Sequence, residues 1–516
     1  MAIIKKIFKY FFFKTIKDFN KKTLPVIIQK NKLSEARSFL ASQLQFQFLK
    51  DNEISTLLQS YNINYNFYLN SLMRLKLPLR YLLYQILNCF YLDNKKIYFP
   101  YPRELKKKIL NDNNFFINQI LWYFYIIIDF SKIFYFKIFF IYFNEKKKIK
   151  EIIDLKKKII FVHLNDSTNF SEKKILKWLD KAERDYYPIF VNNLQKYNTY
   201  NSEYSTINNH NYIFLYLINI KSFLKVYIKE LTKTFFEFLF FYKWKKILFY
   251  NDLIDLKIFQ LIKEELNHKH LFLYTQNFHK PLWTFEANKR GIKTTMFFNG
   301  STSNIITSEI DHEDWKGVKY SYWDDFLYWN NYHKRFLESF FTSDKKIFNK
   351  CNYLIISGEK KIKIPKRTIV LFPHDFNTSF YGFEEIMEYY YTNENLYYDF
   401  FEKIKKICVE LNINICIKQK KINSWTRPEH LQYLNSLSKN DNIFLCPHDA
   451  DVEDLIKKSI GTISMPSSSV PVISEQLGVK TVIVDFSKSI NINEDCLHGI
   501  KKIDNINELK FFLENL

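Results

Sequence analysis

Between Gly461 and Phe486 the chain reads GTISMPSSSVPVISEQLGVKTVIVDF, and this stretch restricts the fold more than any other. An apolar run ends at Met465 and Pro466 stops it. Ser467, Ser468 and Ser469 then stand where a helix begins, with Pro471 near its first turn. Gly478 ends that helix, and Lys480 to Phe486 reads as a buried strand. The order is strand, serine turn, short helix, glycine, strand. A helix start offers unpaired backbone N–H groups and a positive dipole end, and hydroxyls there add donors, which makes a cradle for a phosphate. Glu475 follows one to two turns in. A cradle followed by an acid suits a nucleotide-sugar, whose phosphate and ribose each need a partner. A serine N-cap in any α/β protein reads the same way, and the stretch alone leaves both readings open.

The cadence around it is regular. Thr368 to Phe372, Ile413 to Lys418 and Asn442 to Cys446 read as strands. Tyr397 to Leu411, Pro428 to Leu437, Asp451 to Lys458 and Ile506 to Glu514 read as helices. Such alternation argues a parallel sheet with helices on both faces. Upstream, Lys157 to Leu164 and Leu271 to Gln276 read as strands. Trp283 to Arg290 reads as a helix closed by Gly291, with Ile292 to Phe298 as the next strand, a βαβ signature. Tyr328 to Phe341 is expected to be a helix, and Asn193 to Asn211 an exposed polar loop. The expected fold class is α/β and GT-B-like: two Rossmann-like domains facing a cleft, with a helical N-terminal region. The divisions fall at residues 1–150, 151–350 and 351–516. In such sheets a ligand binds at the carboxyl ends of the strands.

Residues 1–150 read as helical. Residues 1–22 approximate an amphipathic helix with aromatics on one side, and lysines interrupt every apolar run, unlike a signal peptide. Phe115 to Ile128 is uncharged but shorter than the ~18–20 residues a bilayer requires. Phe235 to Tyr250 is a third aromatic and basic segment. Such segments suit a membrane interface, or are core helices coloured by composition. Lys+Arg outnumber Asp+Glu by 76 to 54, giving a net charge of +22 and a preference for anionic partners. The same excess of Phe, Tyr, Ile, Asn and Lys, with 8 Gly and 12 Pro, is what an AT-rich coding sequence imposes, so the charge is discounted. No zinc-knuckle spacing, RNA-reading aromatic signature or basic zipper is present, and no nucleic-acid partner is expected. The six cysteines form no CxxC and read as buried thiols.

Several groups of residues together resemble a known family. They are Tyr274-Thr275, Leu282-Trp283-Thr284 and Gly291-Ile292, then Trp323-Asp324 and Tyr328-Trp329-Asn330. Ile355-Ile356-Ser357-Gly358, Lys418-Gln419-Lys420-Lys421, Ser464 to Ser469 and Glu475-Gln476-Leu477-Gly478 complete the set. In this order and spacing the chain is similar, over roughly residues 150–516, to the polysaccharide-biosynthesis proteins named for a Pro-Phe-Thr-Ser motif. Here Pro466-Ser467-Ser468-Ser469 replaces that motif, keeping hydroxyls and losing an aromatic plug. The resemblance implies a GT-B glycosyltransferase of the capsule or O-antigen type. It also implies a Ser-Ser element and a basic His-Pro element holding the nucleotide phosphate. The first is present. The second is absent, and Lys418, Lys420 and Lys421 occupy the comparable strand end. Lysine there supplies charge to a phosphate, or forms a solvated loop.

Asp449-Ala450-Asp451 imitates a DxD metal motif, but Asp451 begins a helix and reads as an N-cap. No metal is expected, no His/Cys/Asp cluster has ligand spacing, and neither GxGxxG nor a P-loop occurs. His374 follows a strand and faces the cleft in the expected fold, where it touches donor or acceptor, or forms a turn. A transferase needs one general base, and His279, Glu286 and Asp324 are the candidates. The expected activity is metal-independent sugar transfer, with no cofactor, from a nucleotide-sugar donor to a glycan or lipid-linked glycan. The expected location is cytoplasmic, peripheral on the inner face of the cytoplasmic membrane. A non-catalytic member of the same assembly and a nucleotide-sugar epimerase are the alternatives.

Overall fold

The structure is a computed structural model. It describes residues 52–64, 68, most of 116–127, 158–164, 186–192, 205–207, 220–241, 244–262, 266, 270–275, 279–298, 321–338, 346–350, 360–373, 394–419, 428–447, 449–465, 469–485 and 497–516. Among these residues two sheets form, and every strand pair in both is parallel.

The first sheet has seven strands: β1 (Lys158–Leu164), β2 (Tyr186–Asn192), β3 (Ser205–Ile207), β4 (His270–Thr275), β5 (Lys293–Phe297), β6 (Asp325–Tyr328) and β7 (Ile347–Lys350). Their order is β3-β2-β1-β4-β5-β6-β7. The chain winds outward from β1 to β3, returns to the middle, and winds the other way from β4 to β7. The switch therefore lies between β1 and β4. Four helices attend this half: α1 (Asn52–Ser60), α2 (Ile220–Phe241), α3 (Trp244–Leu261) and α4 (Leu282–Lys289). A fifth, α5 (Asn331–Glu338), follows β6. Trp283 of α4 is fully buried, its ring 4.8 Å from Phe272 of β4 and 5.4 Å from Phe259 of α3. Gly291, at φ +77°, makes the left-handed turn from α4 into β5.

The second sheet has six strands: β8 (Thr368–Phe372), β9 (Asn414–Lys418), β10 (Ile443–Cys446), β11 (Gly461–Ser464), β12 (Thr481–Val484) and β13 (Lys502–Ile503). Their order is β10-β9-β8-β11-β12-β13, so the switch lies between β8 and β11. The helices are α6 (Glu394–Glu410), α7 (Pro428–Leu437), α8 (Val452–Lys458), α9 (Val470–Gln476) and α10 (Ile506–Glu514). All five residues of β8 are buried, as a central strand covered on both faces must be. Thr462, buried in β11, donates to Ser474 of α9 at 2.8 Å and lies 2.8 Å from the Thr481 hydroxyl, so its polar group is satisfied inside the core.

Every strand and helix expected after residue 360 is present within a few residues. Five strands were not read: β2 and β3, of 7 and 3 residues, and β6, β7 and β13, of 4, 4 and 2. The expected helix from Tyr328 is corrected by β6. Phe326 and Leu327 pair with β5 and Tyr328 with β7, and the helix starts only at Asn331. The polar tract around Asn193 to Asn211 is not all loop, since Ser205–Ile207 adds to the sheet edge beside β2. The segment Phe235 to Tyr250 is divided between α2 and α3, and Phe249 and Tyr250 are core residues. The expected helix at 1–22 lies outside the described residues. Of Phe115 to Ile128, Trp122 and Ile126 are buried while Phe116 and Ile120 are exposed. Among the described residues no helix is long and apolar enough to cross a membrane.

Asp451 is the N-cap of α8, accepting from the backbone N–H of Glu453 at 3.0 Å and Asp454 at 3.2 Å. Asp451→Ala is expected to cost about 1 kcal/mol. A fall of about 2–4 °C in thermal midpoint would show it, and an unchanged midpoint would refute the cap's contribution.

Candidate functional site

Parallel α/β sheets bind ligands beyond the carboxyl ends of the strands flanking the switch, because the helices there diverge and leave a crevice. In the second sheet those ends are Phe372 of β8 and Ser464 of β11. The Met465 N–H donates to the Phe372 carbonyl at 3.1 Å, carrying the pairing one residue past the strand. Beside β8, β9 ends at Lys418, whose side chain is buried and whose Nζ donates to the Gln419 carbonyl at 3.1 Å. Three adjacent strands thus bring Lys418, Phe372-Pro373 and Ser464-Met465 to one edge. Strand spacing puts the outer two about 10 Å apart. Ser464 is fully buried, and its hydroxyl has no hydrogen-bond partner among the described residues. Ser469 is the N-cap of α9, yet its side chain makes no cap bond and its backbone is already helical at φ −82°, ψ −12°. Ser467, Ser468, Lys420 and His374 lie outside the described residues, directly after the ends of β11, β9 and β8.

In the first sheet the residues after β4 lie at the switch, and His279 is among them. It is 3% exposed. Its Nε2 sits 2.6 Å from Asp252 Oδ2 on α3, and the Tyr68 hydroxyl donates to the same oxygen at 2.5 Å. An ionised carboxylate only accepts, so Nε2 carries the proton and Nδ1 is the basic nitrogen of the neutral ring. Burial, with the adjacent Asp252 charge, holds the Tyr68 phenol well above the usual range. Asp252 and Tyr68 were not read from the sequence. Asp252 lies mid-helix 27 residues before the histidine and Tyr68 lies 211 before it, so no motif links them.

The other two base candidates are not brought to His279. Glu286 sits in the second turn of α4, accepting from Tyr61 at 2.8 Å and Arg290 at 3.2 Å. Asp324 precedes β6, at that strand's amino end. It pairs with Lys280 at 3.0 Å and lies 3.9 Å from Lys346. Burial pushes the Lys280 ammonium below its ordinary range and Lys346 down to about 8, with Asp324 opposing both shifts. Glu475 is exposed near the carboxyl end of α9. It lines a groove of about 460 Å³ with Gly478, Lys480 and Lys501, at the amino ends of β12 and β13. That is the edge opposite Ser464 and Met465. Burial raises the Glu475 carboxyl above its usual range.

The carboxyl-end connections of the two sheets touch. His498, on the connection from β12 to β13, has Nδ1 3.3 Å from Asn330 Oδ1. Its ring lies 5.2 Å from that of His333 and 6.1 Å from that of Trp329. His333 accepts from the Trp329 N–H at 3.2 Å. Burial pushes His498 down to about 3; burial, then the neighbouring His498, holds His333 well below the usual range. Gly499 at φ +77° allows the close approach, since a Cβ there would meet the Tyr332 ring at 2.5 Å.

Two parallel Rossmann-like sheets, each with a switch point in its strand order and touching at their carboxyl-end connections, define the two-lobed GT-B class. Residues 230–513 match the polysaccharide biosynthesis PFTS motif protein family, and the chain belongs to that family. No curated protein matches the chain. Among solved structures it is similar to the wall teichoic acid polymerase TagF, at 14% identity over 76% of this chain and 88% of that one, with a TM-score of 0.37. MurG of Acinetobacter baumannii aligns at 9% identity over 70% and 92%, TM-score 0.36. A UDP-forming α,α-trehalose-phosphate synthase from Burkholderia xenovorans aligns at 9% over 70% and 91%, TM-score 0.38.

Proposed function

We propose that this protein transfers a sugar from a nucleotide-activated donor to a growing surface polysaccharide of the capsule or O-antigen type. The observation that carries the reading is the meeting of Lys418, Phe372-Pro373 and Ser464-Met465 around the switch of the second sheet. In this reading residues 351–516 hold the donor. Lys418, Lys420 and the hydroxyls of Ser467, Ser468 and Ser469 grip its phosphates, with His374 beside them. As the glycosidic bond to the nucleotide breaks, negative charge grows on the leaving phosphate. Donors already fixed at a strand edge stabilise that charge without rearranging. Residues 151–350 hold the acceptor, and His279, oriented by Asp252, takes the proton of the attacking hydroxyl on Nδ1. Residues 1–150 form a helical region facing the inner surface of the cytoplasmic membrane, where a lipid-linked glycan would be presented.

The test is a thermal-shift screen with cytidine, uridine and guanosine diphosphates and their sugars. A ligand at about 100 times its Kd adds about 2.7 kcal/mol to the folded state, so one nucleotide class should raise the midpoint. Ser468→Ala with Ser469→Ala is expected to abolish that shift and donor turnover together. No shift with any nucleotide would overturn the reading. Inversion of the donor sugar without an acceptor would replace it with epimerisation.

A further inference from the structure

Beside its short last strand the second sheet leaves an open groove that the proposed transfer does not use. β13 pairs with β12 only from Ile483 onward, so Thr481 and Val482, the first residues of β12, have no strand on that side. The gap is the groove of about 460 Å³ described above, with Phe512 of α10 partly buried along it. Its volume is in the range that holds small ligands. Gly478 and Gly499, at φ +75° and +77°, line it, and a Cβ on Gly478 would meet nothing within 4 Å. Lys480 donates to the Asn515 carbonyl, and Lys501 stands 3.7 Å from Glu508. Those partners lie toward opposite ends of α10, so the two ammonium groups are on the order of 10 Å apart. Glu475 is exposed, and among the described residues its carboxylate has no hydrogen-bond or ionic partner.

We propose that this groove binds a stretch of carbohydrate chain, away from the donor crevice. Complementarity of donors and acceptors selects the occupant. The free carboxylate repels a phosphate or other plain anion, and the two ammonium groups repel a plain cation. An added peptide strand would find only Thr481 and Val482 to pair with, too few for a ladder when strands run about 3–10 residues. A small zwitterion would meet the carboxylate and one lysine and leave the other end of the groove to water. A sugar ring gives hydroxyl protons to Glu475, accepts them from the lysines, and rests its apolar C–H face on Phe512. A chain of such rings runs past both lysines in a groove open to solvent. The groove lies at the amino ends of β12 and β13, whereas the donor crevice lies beyond the carboxyl ends of β8 and β11. A glycan held here is therefore away from the reacting bond, a stretch already made and kept on the protein between additions. This deepens the transferase reading and rests on it only for which glycan is held. Carbohydrate binding requires no sugar transfer, so a failed transferase assay leaves the present inference standing.

The test is retention of the purified full chain on an array of bacterial capsular and O-antigen oligosaccharides of more than one ring, without nucleotide. The wild type is expected to be retained. Glu475→Ala and Lys501→Ala should each weaken the best ligand by about tenfold or more, as loss of a hydrogen bond to a charged group does. Both side chains are exposed, so the thermal midpoint should stay in place. No retained oligosaccharide, or retention unchanged in both variants, would overturn the proposal. So would retention lost with Ser468→Ala and Ser469→Ala but kept with Lys501→Ala, since the glycan would then sit at the donor crevice.

Discussion

His279→Ala is expected to lower the rate of sugar transfer by about 10²–10⁴-fold with little change in donor affinity. The histidine is proposed to act on the acceptor proton, and the donor is assigned to the other sheet. A purely structural role makes a different forecast, because His279, Asp252 and Tyr68 also tie α3 and the β4–α4 connection to the segment after α1. Asp252→Asn separates the two. Asparagine keeps the shape and can accept from Nε2–H or Tyr68, but it removes the charge that stabilises a protonated imidazole. A base loses kcat at unchanged thermal midpoint; an anchor loses midpoint and leaves kcat. Asp252→Ala strips the shared acceptor from two buried groups and is expected to cost about 3–5 kcal/mol, measured by urea denaturation. If His279→Ala leaves transfer intact, the base lies elsewhere and Nδ1 is not the proton acceptor.

Acidification is expected to loosen the joint between the two sheets. His333 and His498 are neutral in the folded state, with His498 held down to about 3, while the unfolded histidines titrate near 6.5. In the window between those values the unfolded chain binds more protons. Stability therefore rises with pH and is fully present only above about 6.5. At pH 5 His498 forfeits about 2 kcal/mol, and His333 adds a loss of the same sign. Among the described residues the pair's polar contacts are neutral ones, Asn330 Oδ1 to His498 and the Trp329 N–H to His333. Carboxylates elsewhere also respond to acid, so the informative quantity is a difference. His498→Gln should flatten the slope of stability against pH by about 1.4 kcal/mol per unit between pH 6 and 4. Equal slopes would mean that water reaches His498 and that the contact is not a buried joint.

The relation of this protein to its family was legible before any coordinates, and so was most of the second sheet. Strands such as Thr368–Phe372 are continuous apolar runs, and Gly478, at φ +75°, stops α9 where the sequence reading stops it. Asp451 caps its helix through its own neighbours. These are local events, set by period, backbone freedom and side chains a few residues apart. β6, β7 and β13 are too short to carry a period of their own, and Pro188 interrupts the strand signal of β2; pairing with a neighbour makes them strands.

What the sequence determined by itself was the cadence of elements, the serine turn at a strand's end, and hence a parallel α/β chain of this family. Tertiary structure alone decided which groups meet: Asp252 with His279 across 27 residues, Tyr68 with Asp252 across 184, Asn330 with His498 across 168. It also set Glu475 and the Ser464-Met465 strand end at opposite edges of one sheet, though they are near neighbours in sequence. The reason is one of range. Backbone preference and hydrophobic period act over a few residues, whereas partnership among buried polar groups depends on the order in which strands enter a sheet.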